Sequence, residues 1–420
     1  MHVLKIPPFA SLSRNDTITL FSQPLFLLLN KSMSKYFIIV LSTVILTSFQ
    51  ACYRTGIVRN NHLYSEQVNN RILKLCDSLE FCLDSETSPT IKYIQYFDAD
   101  TIQALAILNN FNNNIYIYDC NTSNLIEKIK LNKEFYQGFC FDDNIYAYSY
   151  HKGVLSVINR DNYTVKQTIP MALDEDKFSQ FFIPYPYAST LSPIMKYDKY
   201  IISIGYRSGE SKAETISNRP VVTILNLKTK KISYAMNYPE MYSKYNWGGH
   251  MAYRLPYYTI SPDGRIIVSF PASHDLAVSS LDSLSNVTMS FAGSRYIKEI
   301  KSYPAIKSPV GISSSDIWKW YMGNPSYEGI LYDKYRELYY RIARLPDNDY
   351  ENGVRGNHKP ISIIVLDKHL NYLGEELLDI GPRYFPSNTF VSRNGINIQI
   401  LTDNEDILKY YTYKYAEDNN

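Results

Sequence analysis

Short apolar stretches alternate with polar turns along most of the chain after residue 91, and five of these stretches share one design. In each, an apolar strand ends at an Asp or Asn, and an apolar residue restarts the chain five or six residues later. The Asp or Asn side chain caps the turn by bonding the nearby backbone, which is why that residue type recurs. The five hairpins are Ile117–Ile129, Val157–Ile169, Ile224–Met236, Ser280–Phe291 and Val365–Leu377. Such repetition indicates a repeat architecture.

A further pair of strands precedes each hairpin, so that each repeat has four antiparallel strands. The most regular pair is Tyr257–Phe270, with Ser261-Pro262-Asp263-Gly264 as its tight turn. Four-stranded units in radial repetition form a β-propeller. We therefore predict an all-β fold, a six-bladed propeller of four-stranded antiparallel blades. Seven blades are the alternative, because the 85 residues between the turns at Asp282 and Asp367 leave room for an irregular blade.

The last repeat, Thr389–Tyr415, has no fourth strand of its own. An unpaired strand edge invites aggregation, so another part of the chain must cover it. We predict that a strand within Asn61–Thr87 pairs with the last repeat and closes the ring.

A targeting segment precedes the repeats. From Met33 the chain has one early Lys, an apolar run from Tyr36 to Leu46, and Ala51 before Cys52, which is the pattern of a secretory signal. Cys52 lies where a bacterial lipobox places its diacylated cysteine, although Phe49 and Gln50 depart from the usual residues; a simple signal peptide is the alternative. We predict an upstream extension (1–32), a lipoprotein signal peptide (33–51), a flexible tether (52–66) and one propeller domain (67–420).

Composition excludes several functions. Without residues 1–51 the chain keeps 39 basic and 40 acidic residues, so no basic stripe for nucleic acid is expected. The seven histidines are scattered without metal-ligand spacing, and no phosphate-binding loop or nucleophile motif occurs. We expect no metal and no cofactor. Of the remaining cysteines, Cys76 and Cys82 are the nearest candidates for a disulfide in an exported protein.

Two segments contain candidate ligand-binding residues. The segment Tyr242–Arg254 holds Trp247, His250 and Arg254 before an inner strand, where loops can surround the channel mouth. Packing between blades is the alternative for Trp247. In Asp316–Tyr321, Trp318 and Trp320 share one face if the segment is a strand, and paired rings can stack on sugars or pack on a neighbouring blade.

The Tyr-, Asn-, Ile- and Lys-rich composition, the lipobox and the stretch Tyr327–Pro346 resemble a family of Bacteroidetes lipoproteins known as a domain of unknown function. Its most specific motif is Tyr-Asp-x-Tyr-Arg followed by Tyr-Tyr-Arg, here 332–336 and 339–341. The resemblance implies a TolB-like six-bladed propeller and carries no catalytic residue. Arg341 and Arg344, which follow a Tyr-rich strand, require an acidic partner if buried, with Asp333 as the candidate.

These observations favour a lipoprotein anchored by Cys52 in the outer membrane, either in the periplasm or on the cell surface. Its propeller is expected to bind a protein partner, a glycan or a peptide without catalysis, because function in this fold lies in the loops. The alternative is a hydrolase or lyase that acts on a glycan or peptide at the mouth of the channel. Converging carboxylates there would favour the enzyme, and an apolar plug would favour the binding protein.

Overall fold

Antiparallel β-strands make up most of this computed structural model. It describes residues 55–64, 72–88, 91–99, 102–132, 134–171, 184–206, 219–247, 251–303, 314–347, 359–378 and 383–416. Six sheets follow one another along the chain. Five have their strands in sequential order from the first to the last, and the sixth takes the early strand Leu73–Cys82 as its outer strand. The first strands of the fourth, fifth, sixth and first sheets pack side by side in that order, which makes the first strands the inner strands of a ring. This arrangement is a six-bladed β-propeller, so the alternative of seven blades is wrong.

The strands of the first three blades are as follows. Blade 1 contains β3 (Ile94–Ala99), β4 (Ile102–Asn109), β5 (Asn114–Asp119) and β6 (Leu125–Lys130); blade 2 contains β7 (Gly138–Phe141), β8 (Asn144–Ser149), β9 (Val154–Asn159) and β10 (Val165–Pro170). Blade 3 has β11 (Tyr185–Pro186), β12 (Met195–Tyr197), β13 (Tyr200–Tyr206), β14 (Pro220–Asn226) and β15 (Ile232–Asn237). Since β11 and β12 both pair with β13, the inner strand of blade 3 is split in two.

The other three blades complete the ring. Blade 4 contains β16 (Tyr257–Ile260), β17 (Arg265–Ser269), β18 (Asp275–Ser280) and β19 (Ser283–Phe291); blade 5 contains β21 (Ser326–Asp333), β22 (Leu338–Arg344), β23 (Ile361–Leu366) and β24 (Tyr372–Leu377). Blade 6 contains β25 (Tyr384–Ser392), β26 (Gly395–Ile400), β27 (Ile407–Tyr415) and, as its outer strand, β2 (Leu73–Cys82). The remaining elements are β1 (Ile57–Arg59), β20 (Glu299–Lys301), α1 (Met241–Lys244), α2 (Met251–Arg254) and α3 (Ser314–Met322).

Closure of the ring confirms the predicted pairing of an early strand with the last one. The register of β2 against β27 runs from Leu73 opposite Tyr415 to Cys82 opposite Ile407. Phe81 is fully buried on β2 and packs against Tyr118 of blade 1, with ring centroids 5.4 Å apart. The outer strand of blade 6 therefore also joins the last blade to the first.

Four of the five hairpin turns have the predicted caps. The Oδ1 atoms of Asp119, Asn159, Asn226 and Asp367 each accept a backbone N–H two residues further on, at 2.7–3.0 Å. In the fifth hairpin the expected cap at Asp282 is wrong. Ser280 pairs directly with Ser283, so Leu281 and Asp282 form a two-residue turn and no capping side chain is needed.

The four described cysteines after Cys52 are all free thiols. Cys76 and Cys82 lie on the same extended strand, β2, and a rise of about 3.3 Å per residue separates them by roughly 20 Å. Disulfide geometry requires Cα atoms within about 7 Å. A bond between them is therefore excluded in this fold. Burial raises the pKa of the Cys76 thiol above its ordinary value.

The segment predicted as a flexible tether includes β1, which pairs with β20. His274 lies beneath β1 and is 5% exposed. Its Nε2 is 3.3 Å from the carbonyl oxygen of Val58, and its Nδ1 is 2.7 Å from the hydroxyl of Tyr327. The Val58 carbonyl can only accept, so Nε2 carries the proton, and the Tyr327 hydroxyl, which accepts the N–H of Ser294, donates its own proton to Nδ1. This network holds a neutral imidazole protonated at Nε2.

We expect the stability of the protein to fall between pH 6.5 and pH 4 through His274. Burial lowers the pKa of His274 from 6.5 to about 4, so the unfolded chain binds this proton first. The contribution of the neutral His274 to the free energy of unfolding is on the order of 3 kcal/mol. It is fully present above pH 6.5 and is lost as the pH falls to 4 and below. Urea unfolding of the wild type and of His274→Asn across this range measures it. Parallel pH curves for the two proteins would contradict the assignment.

Candidate ligand-binding cavity

The inner strands of all six blades begin on the same side of the ring, which we call the upper face. A cavity of about 580 Å³ opens on this face at the central channel, and every blade or the connection leading into it contributes to its wall. Ring-bearing side chains form much of this wall: Phe135, Tyr150, His151, Tyr187, Tyr257, Trp318, Tyr321 and Phe385. We call it the upper cavity. Its size and mostly apolar lining are those of small-ligand sites.

Several of these rings are accessible from solvent. Trp318 is 36% exposed, Tyr150 is 39% exposed and Phe135 is 41% exposed. Phe135 and Tyr150 both pack against His151, with centroid distances of 5.3 and 5.9 Å. Exposed large aromatic rings at a cavity mouth offer flat apolar surfaces for a ligand to cover.

A loop of blade 3 closes the bottom of the upper cavity. Residues 187–194 leave β11, cross the channel and return to β12. The backbone N–H of Ala188 donates to Oε1 of Gln137 in blade 2 at 3.4 Å, and Oγ of Ser192 donates to the carbonyl of Pro256 before blade 4 at 3.2 Å. Pro186 ends β11 and Pro193 lies within this loop, and neither has the backbone N–H that a continuous inner strand would need.

The centre of the loop touches the three other blades. Oγ1 of Thr190 accepts the N–H of Ile94 in blade 1 at 3.0 Å and donates to Oδ1 of Asn388 in blade 6 at 3.0 Å. Leu191 packs against Gly329 of blade 5, where a Cβ atom would lie 2.8 Å from a Leu191 methyl group. Residues 187–194 therefore form a channel plug held by all five other blades.

A second cavity, of about 540 Å³, lies below the plug at the opposite end of the inner strands. Leu191 lines both cavities, so the plug separates them. Asp142 of blade 2 and Lys196 of blade 3 form an ion pair at this lower mouth. The two mouths of the channel are therefore distinct sites with different chemistry.

Charged groups lie at one side of the upper cavity. Glu328 and Arg344 of blade 5 form an ion pair, with Oε1 and Nε 2.9 Å apart. Behind them the ammonium group of Lys359 donates to the carbonyl of Tyr321 at 3.0 Å and to that of Asn324, at the end of α3. Burial lowers the pKa of Lys359 well below its ordinary value. Lys359 thus fixes the helix that carries Trp318 and Tyr321.

The segment Asp316–Tyr321 lies in helix α3, so the condition under which Trp318 and Trp320 would share one face, a strand, is not met. On α3, Trp318 and Trp320 are two positions apart and point in different directions, so they do not share a face. Trp318 lines the upper cavity. Trp320 packs on Tyr253 and Tyr303, with centroid distances of 4.5 and 5.3 Å. The two rings therefore cannot act as one stacking surface.

The other candidate residues lie outside the cavity wall or outside the described residues. Trp247 is 1% exposed, stacks on Tyr253 and donates its Nε1–H to the carbonyl of Met241 at 3.2 Å. Arg254 is buried at the end of α2, and its carbonyl accepts the hydroxyl of Tyr238 at 2.6 Å. His250 and Cys52 are not among the described residues. Of the candidate ligand-binding residues that the structure describes, Trp318 is the one that lines the upper cavity.

The Tyr-Asp-x-Tyr-Arg motif forms the turn between β21 and β22. Oδ1 of Asp333 accepts a hydrogen bond from the backbone N–H of Tyr335 at 2.9 Å, and Oδ2 accepts one from Nη1 of Arg336 at 2.9 Å. The expectation that Asp333 pairs with Arg341 is wrong. Arg341 is fully buried and donates instead to the carbonyls of His274 and Ala292, both at 2.9 Å.

The carbonyl of Ser273 and the hydroxyl of Ser269 also accept hydrogen bonds from Arg341, at 2.8 and 3.0 Å. The guanidinium lies 3.8 Å from the centre of the Tyr327 ring. Arg341 therefore ties blade 5 to two connections of blade 4, and its role is structural.

These features define a six-bladed β-propeller with a plugged channel and an aromatic cavity on its upper face. Residues 70–377 match the family described as "Domain of unknown function (DUF4221)", which is most of the chain. The chain therefore belongs to the DUF4221 family. Within the described residues, no helix has the length and apolar character needed to cross a membrane.

Two solved structures from Bacteroides share the fold. A DUF4221 member from Bacteroides vulgatus superposes with a TM-score of 0.65 at 20% sequence identity, over 81% of this chain and 97% of that chain. A protein from Bacteroides fragilis assigned as exported superposes with a TM-score of 0.53 at 12% identity, over 84% of this chain and 98% of that chain. No curated protein matches the sequence.

Proposed function

We propose that this protein is an exported lipoprotein, anchored in the outer membrane through acylated Cys52, whose propeller binds a glycan or a peptide without catalysis. The upper cavity is the observation that carries the proposal. It combines solvent-accessible rings with polar groups from several blades, among them Asn110, Gln137 and Asn388. Rings and amides of this kind suit ligands that have both apolar faces and hydrogen-bonding groups.

The chemistry of the cavity supports binding over hydrolysis. Among the described residues that line it, Glu328 is the single carboxylate, and Arg344 already pairs with it. Glycosidases of the usual kind need two carboxylates on either side of the scissile bond. The plug also closes the channel below the cavity, so a long ligand cannot pass through the ring. The cavity therefore suits the end or a loop of such a ligand.

Export and anchoring rest on the segment before the propeller. The apolar run from Tyr36 to Leu46 and the Ala51-Cys52 pair have the pattern of a lipoprotein signal. The similarity in fold to the exported protein from Bacteroides fragilis agrees with this address. Incorporation of labelled palmitate into the wild type, and its loss in Cys52→Ala, tests the anchor.

We expect Trp318→Ala to weaken ligand binding about tenfold, which corresponds to roughly 1.4 kcal/mol, because the variant removes an exposed ring from the cavity wall. The ligand is first found with a glycan array and a peptide library on residues 53–420, with mass spectrometry of the incubated ligands. Titration of the wild type and the variant then gives the two affinities.

Tyr296→Ala is the matched control for Trp318→Ala, since Tyr296 is 43% exposed and lies outside the cavity. Its affinity is expected to equal that of the wild type. Equal losses of affinity in both variants would show that the upper cavity is not the binding site. Cleaved products in the mass spectra would replace the binding function with a hydrolase or lyase.

A further inference from the structure

The described part of the chain begins at Thr55 on the upper face. The N–H of Gly56 donates to Oγ of Ser302 at 2.8 Å, and its carbonyl accepts the N–H of Ser302 at 2.8 Å. The Tyr245 ring covers Gly56 so closely that a Cβ atom there would lie 2.0 Å from it. Tyr245 and Ser302 belong to the connections that lead into β16 and β21, whose first residues define the upper face. The chain therefore reaches the propeller from this face.

The same point lies close to the wall of the upper cavity. The N–H of Tyr303, next to Ser302, donates to the carbonyl of Asn246 at 2.7 Å. The Tyr303 ring packs edge-on against Trp320 of α3, with centroids 5.3 Å apart. Helix α3 also carries Trp318 into the cavity wall. The N-terminal segment thus arrives beside the helix that forms one side of the cavity.

Covalent geometry limits the distance from this point to Cys52. Three residues span at most about 11 Å between Cys52 and Thr55, at no more than roughly 3.6 Å per residue. The inner strand β21 has eight residues, and at about 3.3 Å per residue the propeller is more than roughly 25 Å thick. A lipid on Cys52 can therefore reach a bilayer that lies near the upper face, but not one beneath the lower face.

We propose that the upper face of the propeller lies against the membrane, so that the upper cavity opens toward the lipid surface. The inference rests on the acylation of Cys52 in the proposed function. Two lysines near Thr55 form ion pairs, Lys244 with Glu240 and Lys301 with Glu299, both at 3.0 Å. The acyl chains on Cys52 hold this face to the bilayer.

Fluorescence quenching in proteoliposomes tests the orientation. The acylated full chain carries Cys76→Ser and Cys82→Ser, which remove the two exposed thiols. A fluorophore is attached at Lys319→Cys on α3 or at Asp143→Cys in the turn between β7 and β8 on the lower face. Phosphatidylcholine with a spin label on its headgroup is the quencher. We expect about threefold stronger quenching at position 319 because of the thickness of the blades.

The outcomes separate the two proposals. Stronger quenching at 143, or equal quenching at both positions, in protein whose mass shows the lipid overturns the orientation and leaves the anchor intact. Absence of the lipid from the mass spectrum overturns both. As a control, about 20 Gly and Ser residues inserted between Cys52 and Thr55 lengthen the reach by roughly 25 Å, and the difference between the two positions should then disappear. A difference that persists with this spacer also overturns the proposal.

Discussion

Replacement of Arg341 by Met is expected to destabilise the protein by on the order of 5 kcal/mol, which approaches the whole stability of a typical domain. The side chain is fully buried and binds the carbonyls of Ser273, His274 and Ala292. Without it, these acceptors lose their partners in a place that water does not reach. Burial lowers the pKa of Arg341 to about 10, so the guanidinium remains charged at neutral pH.

Urea unfolding and the yield of soluble protein measure this effect. Arg160→Met is the matched control, because Arg160 is exposed and donates a single hydrogen bond to the carbonyl of Asp142 at 3.1 Å. A change within about 0.5 kcal/mol is expected for the control, as for most surface substitutions. An Arg341→Met protein as stable as the control would refute the structural role of this arginine.

A chain that begins at residue 84 is expected to lose the closed ring, whereas a chain that begins at residue 67 keeps it. The first lacks β2 and exposes the whole edge of β27, which pairs with β2 over nine residues of register. The loss of Phe81 alone costs about 3–5 kcal/mol by comparison with other buried aromatic side chains. The second chain lacks β1 but retains β2.

Thermal unfolding and light scattering after size-exclusion chromatography distinguish the two chains. We expect the chain from residue 67 to unfold cooperatively as a monomer, at a somewhat lower temperature than residues 53–420. The chain from residue 84 is expected to aggregate or to unfold well below it. A monomeric, cooperatively folded chain from residue 84 would show that the closing strand is dispensable.

Much of the fold could be predicted from local sequence, because its signals repeat. The capped turns at Asp119, Asn159, Asn226 and Asp367 mark the outer hairpins of four blades, and their chemistry acts within a few residues. The pairing of β2 with the last blade could be predicted because an unpaired strand edge must be covered by another part of the chain. The turn at Asp282 was misjudged because a shorter turn satisfies the same backbone without its side chain.

The candidate site was harder to predict because its parts are far apart in sequence. The shared face of Trp318 and Trp320 depended on a strand, whereas Ser314, Ser315 and Asp316 are typical of a helix start and Ile317, Trp320 and Tyr321 follow helical spacing. The plug has no periodic pattern, and its contacts reach all five other blades. Trp247 is of a residue type that is common in ligand sites, but in the structure it is buried in the core.

The pairing of β2 with β27 also constrains when the protein can mature. Leu73 and Tyr415 face each other across this pair, so almost the whole propeller lies between the two closing strands in sequence. Contacts of such long sequence separation form late, since their loop must be complete first. Under the export proposed above, a chain that crosses the membrane from its N-terminus stays an open arc until its last strand has also crossed.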